Sequence, residues 1–256
     1  MKLVNNKFIM RKKIVAITQA RMGSSRLPGK VLKIIGNQTL LELHLTRAQK
    51  SQLISELILA TTTESKDDVI IGISEKMGIP TVRGSESDVL DRYYQAAKKT
   101  NADIVVRVTS DCPLADGNLI DEVVKYTLSN QLEYCRTSDD FPDGVDVEVF
   151  TFKQLKLAYE NAQLPSEREH VTPYIRKTVG ETNLYNNSPN YAHVRFTVDE
   201  ASDLETVNVL INTLGASASW ETYAKFILNH PARFNNQAII RNEGYLKSTQ
   251  NDQTNN

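Results

Sequence analysis

Residues 19–30, QARMGSSRLPGK, concentrate positive charge in a stretch that also holds two glycines. Arg21, Arg26 and Lys30 place three cations within ten residues. Arginine side chains bind phosphate oxygens in pairs, and lysine adds a compact point charge. Glycines allow backbone amides to approach an anion closely. The stretch therefore predicts a loop that neutralises a triphosphate, and the alternative interpretation is a solvated basic turn.

The loop does not follow two common nucleotide-binding patterns. Gly23 and Gly29 enclose five residues, whereas the glycines of a Walker A loop enclose four. Val31 stands where Walker A requires serine or threonine. The dinucleotide-binding pattern GxGxxG does not occur in the sequence. A P-loop kinase and a nicotinamide dehydrogenase are therefore weak interpretations.

Two aspartates follow apolar runs further along the chain. Asp111 follows the run at 102–110, and Asp199 follows the run at 192–198. We expect both runs to be strands that end at one sheet edge, so that the two carboxylates face the triphosphate. Carboxylate oxygens are typical Mg²⁺ ligands. The alternative role of each aspartate is a helix N-cap, which suits Asp199 better because a helical pattern follows it.

These residues require a fold that brings distant segments together. β-Branched runs alternate with helical patterns in the first half, and this alternation predicts a parallel sheet with helices on both faces. Such sheets bind ligands at the carboxyl edge of their strands. We expect Ser87 to cap the clearest helix. The predicted strands are 13–20, 56–62, 80–84 and 102–111, and the predicted helices are 39–51, 67–78 and 87–100.

The second half has a less regular pattern. Thr151 is the expected cap of a helix, and Pro173 interrupts a partly helical stretch. The predicted elements are strands at 145–150 and 192–199, and helices at 151–162, 165–180, 200–214 and 220–229. We expect one domain at 13–230, an N-terminal extension at 1–12 and a frayed tail at 243–256.

The bulk composition narrows the function classes. The 256 residues are 40% hydrophobic with a formal net charge of −1, which does not favour nucleic acid or an anionic membrane as a partner. Cys112 and Cys135 lack zinc-site spacing and are expected to be buried free thiols in a reducing compartment. Neither a spanning apolar run nor a secretory signal is apparent, so we expect a cytoplasmic protein without membrane insertion.

Residues 20–32, ARMGSSRLPGKVL, match every fixed position of the pattern A-R-x-x-S-x-R-L-P-G-K-x-L. The sequence therefore resembles the 3-deoxy-manno-octulosonate and acylneuraminate cytidylyltransferases, which activate acidic sugars as CMP derivatives. Five further stretches are similar to the spore coat polysaccharide biosynthesis branch of that superfamily, namely RGSESDVLDRYYQAA, VRVTSDCPL, DGVDVEVF, EREHVTPYI and FTVDEASDLE. The resemblance implies an α/β, Rossmann-like fold of the nucleotide-diphospho-sugar transferase type, with a mainly parallel sheet flanked by helices.

The resemblance also implies an activity. CMP would pass from CTP to an acidic or sialic-acid-like sugar with release of pyrophosphate, for surface polysaccharide or glycoconjugate biosynthesis. Mg²⁺ would be held by Asp111 and Asp199. Lys30 would lie nearest the α-phosphate, and Arg21 and Arg26 nearer the leaving pyrophosphate. The expected catalytic residues are Arg21, Lys30 and Asp111.

Binding residues follow from the resemblance in the same way. Two loops after the second and third strands would bind cytosine, and turn formation or capping is the alternative role of their residues. Ser24 and Ser25 could donate to phosphates or cap the turn. The nucleotide-binding candidates are Ala20, Arg21, Gly23, Ser24, Arg26, Lys30, Thr61, Thr62, Arg83 and Gly84. The sugar-binding candidates are Asp143, Glu148, Arg168, Glu169 and His170.

Several alternatives remain open at the level of the sequence. A glycosyltransferase on the same fold would be expected to carry a DxD motif after a strand, where this chain has DCP. A non-catalytic nucleotide-sensing module would be expected to lack one of the two carboxylates. UTP remains a rival to CTP, and the sequence does not name the sugar. The resemblance implies a homodimer joined through the irregular second half.

Overall fold

The computed structural model describes residues 12–184 and 190–254. A seven-stranded sheet of order β5-β4-β1-β6-β8-β7-β9 forms its centre, and a small hairpin, β2-β3, lies apart from it. The strands are β1 (Ile14–Gln19), β2 (Ile34–Ile35), β3 (Gln38–Thr39), β4 (Glu56–Thr62), β5 (Thr81–Gly84), β6 (Ile104–Thr109), β7 (Tyr134–Thr137), β8 (Glu148–Thr151) and β9 (Asn183–Leu184).

Helices cover both faces of this sheet, and the described residues also contain three short 3₁₀ turns. The helices are α1 (Leu40–Ala48), α2 (Asp68–Lys76), α3 (Val89–Lys99), α4 (Gly117–Ser129), α5 (Phe152–Asn161), α6 (Pro165–His170), α7 (Pro173–Val179), α8 (Ala201–Leu214), α9 (Trp220–Asn229) and α10 (Glu243–Thr254). The 3₁₀ turns are Lys30–Leu32, Ser65–Asp67 and Pro231–Arg233.

The sheet is mainly parallel, as the alternating pattern predicts. Strands β5, β4, β1 and β6 run parallel, with Ile17 opposite Ile58 and Arg107. Strand β8 is antiparallel to both of its neighbours, and Arg107 lies opposite Glu148 in that pairing. The predicted α/β fold with a less regular C-terminal half is confirmed.

Strand β1 is buried on both faces, which explains its uninterrupted apolar sequence. Ile14 and Ala16 belong to the larger apolar core on one face of the sheet. Val15 and Ile17 belong to the smaller core on the other face. The strand is thereby fixed from both sides, and the loop that leaves its carboxyl end starts from a rigid position.

The predicted strand at 192–199 is wrong. Only Arg195 makes a ladder contact there, an isolated bridge to Asp143. Phe196 N donates to the Asp143 carbonyl at 2.6 Å, and Val198 N donates to the Asp111 carbonyl at 2.8 Å. The alternating apolar side chains of this segment are buried in the core, while its backbone forms hydrogen bonds with loops. An extended segment can therefore show the alternating pattern of a strand without pairing with a sheet.

Several other predictions need correction. Asp88 caps α3 in place of Ser87, because the Asp88 carboxylate accepts from Asp91 N at 2.9 Å. Helix α4 and strand β7 were not predicted. The tail is helical over Glu243–Thr254, where we expected fraying, because it packs against the domain. The predicted extension at 1–12 lies outside the described residues except for its last residue.

Two expectations from the composition can be compared with the structure. Cys112 and Cys135 are free and buried, as predicted. No helix within residues 12–184 and 190–254 is long and apolar enough to cross a membrane.

Candidate active site

A cavity of about 880 Å³ opens at the carboxyl edge of the sheet. The loops that follow β1 and β6 form one side of it, and α6 and the first turns of α10 form another. The cavity has two chemically different ends. Residues of the loop 20–30 and two aspartates line the first end, and a buried glutamate with surrounding arginines lines the second.

The loop after β1 is held in place by a few specific contacts. Met22 N donates to the Asp67 carboxylate at 2.7 Å, which fixes the start of the loop. Ser24 Oγ accepts from Leu27 N at 3.3 Å, so in this structure Ser24 serves the turn. Gly29 has a φ of +65°, a conformation that disfavours side chains, and directs the chain into the 3₁₀ turn that begins at Lys30.

Lys30 lies between the two predicted metal-binding carboxylates. Its Nζ is 3.3 Å from Asp111 Oδ2 and 2.9 Å from Asp199 Oδ1, and it also donates to the Val198 carbonyl at 3.0 Å. The three side chains come from segments that are more than 80 residues apart in sequence. The structure thus brings Lys30, Asp111 and Asp199 together, although Asp199 does not end a strand.

The electrostatics of this triad favour its charged form. Burial raises the pKa of the Asp111 carboxyl, but the ammonium of Lys30, the hydroxyl of Thr109 and the charge of Arg107 together outweigh burial, and the pKa falls to about 2. Burial lowers the pKa of Lys30, and the carboxylates of Asp111 and Asp199 more than compensate, so the pKa is raised. Both the carboxylate and the ammonium are therefore charged at neutral pH.

Asp199 is the centre of a wider ion-pair network. Its Oδ2 is 3.1 Å from Arg26 Nη2 and 3.3 Å from Arg195 Nη2. The alternative role as a helix cap is wrong, because Glu200 is the N-cap residue of α8 and Asp203 accepts from its backbone N–H at 3.0 Å. The Asp199 side chain instead faces the cavity.

Arg21 lies on the other side of the loop. Its Nη1 is 2.9 Å from Glu86 Oε1, and Lys66 also binds Glu86, at 3.1 Å. Gly23 permits this arrangement, since a Cβ at that position would lie 2.9 Å from Glu86 Oε1. Arg21, Gly23, Ser24, Ser25, Arg26 and Lys30 all line the cavity, together with Ala20.

Four predicted base-binding residues lie away from the cavity. Thr61 and Thr62 are fully buried, and the Thr62 hydroxyl donates to Asp67. Arg83 donates to the Thr62 carbonyl at 2.8 Å and pairs with Asp68 at 2.9 Å. Gly84 also does not contribute to the lining. In this structure the threonine side chains are buried and Arg83 turns outward to α2, so none of the four residues is placed to meet a ligand in this cavity, and base binding at these positions stays a prediction.

The second end of the cavity is organised around Glu148. Its Oε2 is 2.5 Å from Arg107 Nη1, and its Oε1 accepts from the hydroxyls of Tyr134 at 2.6 Å and Thr172 at 2.7 Å. Burial raises the pKa of Glu148, but the charges of Arg107 and Arg176 and its two hydroxyl donors together outweigh burial, and the pKa falls to about 2. The carboxylate is therefore charged and fully partnered before any ligand binds.

Helix α10 completes the wall at this end. His170 Nε2 lies 2.8 Å from Ser248 Oγ, and the His170 ring meets the edge of Tyr245 at 5.1 Å. Burial and then Arg107 lower the pKa of His170 to about 4, so the imidazole is neutral at pH 7. Arg176 stacks over the Tyr245 ring at 5.3 Å.

The predicted sugar-binding residues separate into two groups. Asp143, Glu148, Glu169 and His170 line the cavity. Arg168 does not, because its guanidinium pairs with Asp88 and donates to the Tyr159 carbonyl at 2.9 Å. Asp143 binds Arg195 at 2.6 Å and Thr197 at 2.8 Å, so its carboxylate is already satisfied by the protein.

Several lining residues were not predicted from the sequence. Arg107 and Arg136 lie on strands whose arginines resemble ordinary sheet residues, and α10 lies in a polar tail without a motif. The available signal was membership in a quoted stretch, which Glu86 and Arg92 have in RGSESDVLDRYYQAA, Arg107 in VRVTSDCPL and Asp146 in DGVDVEVF. The missed lining residues that carry charge or an aromatic ring are Glu86, Arg92, Arg107, Arg136, Asp146, Arg176, Arg195, Glu243, Tyr245 and Lys247.

Asp111 and Asp199 are the residues that could hold a divalent cation. Their carboxylates approach one ammonium group from two segments, which shows that both oxygens reach a common cation position. Hard oxygen donors suit Mg²⁺, which commonly takes one or two protein carboxylates and completes its shell with water and phosphate. Among the described residues no group of three or more ligating side chains converges, so the pair would rely on such additional ligands.

Comparison with known proteins gives consistent matches. A family model described as cytidylyltransferase matches residues 15–236. The uncharacterized protein MJ1063 of Methanocaldococcus jannaschii is 41% identical over 197 residues, which cover 75% of this chain and 81% of that protein. The spore coat polysaccharide biosynthesis protein SpsF of Bacillus subtilis is 31% identical over 217 residues, which cover 79% of this chain and 88% of SpsF.

A solved structure of a cytidylyltransferase is also similar to this chain. A cytidylyltransferase from Leptospira borgpetersenii superposes with a TM-score of 0.84 at 34% identity. The match covers 90% of this chain and 100% of that chain. These similarities confirm the resemblance that the loop motif indicates.

Proposed function

This chain belongs to the cytidylyltransferase family, and we propose that it transfers CMP from CTP to a sugar hydroxyl with release of pyrophosphate. The observation that carries the proposal is the position of Lys30. Its ammonium lies between Asp111 and Asp199 in the lining of a cavity of about 880 Å³.

The reaction joins the acceptor oxygen to the α-phosphorus. The sugar hydroxyl attacks in line, the bond to the bridging oxygen of the β-phosphate breaks, and the hydroxyl proton is lost. Because little covalent chemistry falls to the protein, positioning and charge stabilisation dominate. Lys30 is suited to the α-phosphate, and Arg21 and Arg26 to the leaving pyrophosphate.

Each of these cations has a carboxylate partner in the unliganded protein. Arg21 pairs with Glu86, Arg26 with Asp199 and Glu243, and Lys30 with Asp111 and Asp199. Arginine binds phosphate in the same bidentate manner as carboxylate, so phosphate oxygens could replace these partly exposed carboxylates. Substrate binding would therefore replace the carboxylate partners of these three cations with phosphate oxygens.

Mg²⁺ is the cofactor that fits this end of the cavity. Asp111 and Asp199 would hold it, and the ion supplies charge neutralisation and orientation of the phosphates when bound. Lys30 would then turn from the carboxylates toward a phosphate oxygen. Arg195 keeps the Asp199 carboxylate oriented through a bond of 3.3 Å.

The acceptor would occupy the end of the cavity between Glu148 and α10. Glu169, His170 and Tyr245 provide polar and aromatic groups there, and such groups suit the hydroxyls and ring face of a sugar. SpsF is a spore coat polysaccharide biosynthesis protein, which supports a sugar of surface polysaccharide metabolism as the acceptor class.

A pyrophosphate-release screen tests the proposed function. The four ribonucleoside triphosphates are each incubated with Mg²⁺ and a panel of acidic, neutral and phosphorylated sugars. We expect release that depends on both CTP and one class of sugar. Equal release from all four nucleotides, or release that no sugar accelerates, would contradict the proposal.

A further inference from the structure

Arg92, in the first turn of α3, is a buried cation at the wall of the cavity. Its side chain is among the largest fully buried ones, and the residue is 2% exposed. Within residues 12–184 and 190–254, Nε and Nη1 have no hydrogen-bond acceptor. Arg92 nevertheless lines the cavity. A desolvated guanidinium without an acceptor is costly, so its presence indicates an acceptor that comes from a ligand.

The carboxylates near Arg92 are engaged elsewhere. Asp88 caps α3 and binds Arg168 Nε at 3.1 Å. Asp67 accepts from Met22 N at 2.7 Å and from the Thr62 hydroxyl. Their existing bonds hold both side chains to other groups. Arg92 is thus left with a free donor edge by the arrangement of its neighbours.

The end of β5 leaves space for the Arg92 side chain. A Cβ at Gly84 would lie 2.8 Å from Arg92 Cγ and 3.6 Å from its Cδ. Even a methyl group at position 84 would therefore displace the arginine. Gly84 does not line the cavity itself, but it allows Arg92 to reach the wall.

We propose that Arg92 binds the O2 and N3 edge of cytosine and so selects CTP over UTP. A guanidinium presents two parallel N–H donors, and both cytosine atoms are acceptors. Uracil carries a hydrogen on N3, which would place a donor against a donor. This inference rests on the proposed function, because it assigns a residue to the nucleotide of that reaction.

The position of Arg92 favours the base over the phosphates. In the sheet order, β5 lies two strands from β1, on the side opposite to β6. Lys30 and Asp111 mark the β6 side, where the α-phosphate would bind. A nucleotide that extends from there across the β1 loop would bring its base to the end of β5, beside Arg92.

The test measures nucleotide binding without an acceptor, by calorimetry with CTP and UTP on the full-length protein. The variants are Arg92→Met, Arg92→Lys and Gly84→Ala, with Arg83→Met for comparison. We expect Arg92→Met to weaken CTP binding by about ten- to hundredfold and to bring the CTP/UTP affinity ratio close to one. Arg92→Lys should also bring the CTP/UTP affinity ratio close to one, because an ammonium cannot make two coplanar hydrogen bonds.

Gly84→Ala keeps Arg92 but displaces its side chain, so the CTP/UTP affinity ratio of this variant should also fall. Arg83→Met should keep the wild-type ratio. The melting temperature of Arg92→Met should be unchanged or higher, because an apolar side chain replaces an unpartnered buried charge. A lower melting temperature with an unchanged ratio would show that Arg92 is structural and would overturn the inference.

Other outcomes are equally decisive. If Arg92→Met weakens CTP and UTP equally while Arg92→Lys binds normally, Arg92 contacts a phosphate and the inference is overturned. A fall of the ratio in Arg83→Met alone would assign the base to Arg83 instead. If the wild-type protein binds CTP but Arg92 variants keep the ratio, only this inference fails. If the wild-type protein binds no CTP, the proposed function fails with it.

Discussion

The two ends of the cavity are built on different principles. At the loop end, Arg21, Arg26 and Lys30 pair with carboxylates that remain partly exposed, so a ligand can replace their partners. At the far end, Glu148 is buried and holds three partners at 2.5–2.7 Å. A buried, fully partnered carboxylate exchanges partners only at high cost. The comparison indicates that the loop end rearranges on binding, whereas the far end is a rigid wall.

The largest effect is expected at the metal-binding pair. Asp111→Asn should lower turnover about a thousandfold, because an amide cannot supply the negative charge that holds Mg²⁺ against the phosphates. Asp199→Asn should lose nearly as much, and the double variant should be little worse, because both residues serve one ion. A chelator should abolish turnover and added Mg²⁺ should restore it. Turnover against Mg²⁺ concentration measures this.

If Asp199 only stabilised the fold, its ion pairs would not be replaced on ligand binding, and the loop end would resemble the far end. An Asp199→Asn protein with full activity and an unchanged Mg²⁺ requirement would remove Asp199 from the site. Melting temperatures of all three variants provide the control.

Lys30→Ala should lower turnover at least about a hundredfold and leave the fold intact, because the side chain contacts the cavity rather than the core. Lys50→Ala is a matched control, since Lys50 is exposed, lies outside the cavity lining and uses its side chain to donate to Ser217 Oγ at 3.0 Å. Steady-state turnover and melting temperature are measured for both. A Lys30→Ala protein that melts early but turns over normally would make Lys30 a structural residue.

Glu148, at the far end, should make the free energy of unfolding depend on pH. The folded-state pKa of Glu148 is about 2, below its usual 4.5, so its contribution is present above pH 4.5 and is lost as the pH falls toward 2. Between pH 5 and 3 this loss amounts to about 2 kcal/mol of unfolding free energy. Denaturant unfolding at each pH should show a flatter profile for Glu148→Gln, and equal slopes in variant and wild type would contradict the rigid-wall account.

The smallest effect is expected on the acceptor. Tyr245→Ala should raise the KM for the sugar about fivefold and leave the KM for CTP unchanged, because an aromatic face worth roughly 1 kcal/mol is removed. Leu246→Ala is the matched control, since Leu246 is exposed on the same helix and does not line the cavity. A rise in the KM for CTP alone would assign Tyr245 to the nucleotide.

The loop end could be predicted from sequence because its residues are contiguous. Arg21 to Lys30 form one motif, and Asp111 and Asp199 follow apolar runs that point to the sheet edge. Even so, the position of Asp199 was predicted through a strand that does not form. Asp199 still lies beside Asp111, because the apolar residues before it are buried, and both a strand and a hydrogen-bonded loop produce such burial.

The far end could not be predicted in the same way. Glu148 was a candidate, but its partners Arg107, Tyr134 and Thr172 are distributed over more than 60 residues and carry no common motif. Their meeting depends on the antiparallel insertion of β8 beside β6, which local patterns do not encode. The orientations of Thr61, Thr62 and Arg83 could not be predicted for a related reason, because position at a strand end does not reveal which way a side chain turns.

The central claim is that this cavity transfers CMP to a sugar. The most direct measurement follows the label from CTP carrying ³²P at the α-phosphate, with Mg²⁺ and the sugar that the pyrophosphate screen selects. We expect the label to appear in a nucleotide-linked sugar, in an amount equal to the pyrophosphate released. Lys30→Ala should suppress both the labelled product and the release of pyrophosphate. Label found only in free CMP, or unchanged CTP with every sugar tested, would contradict it.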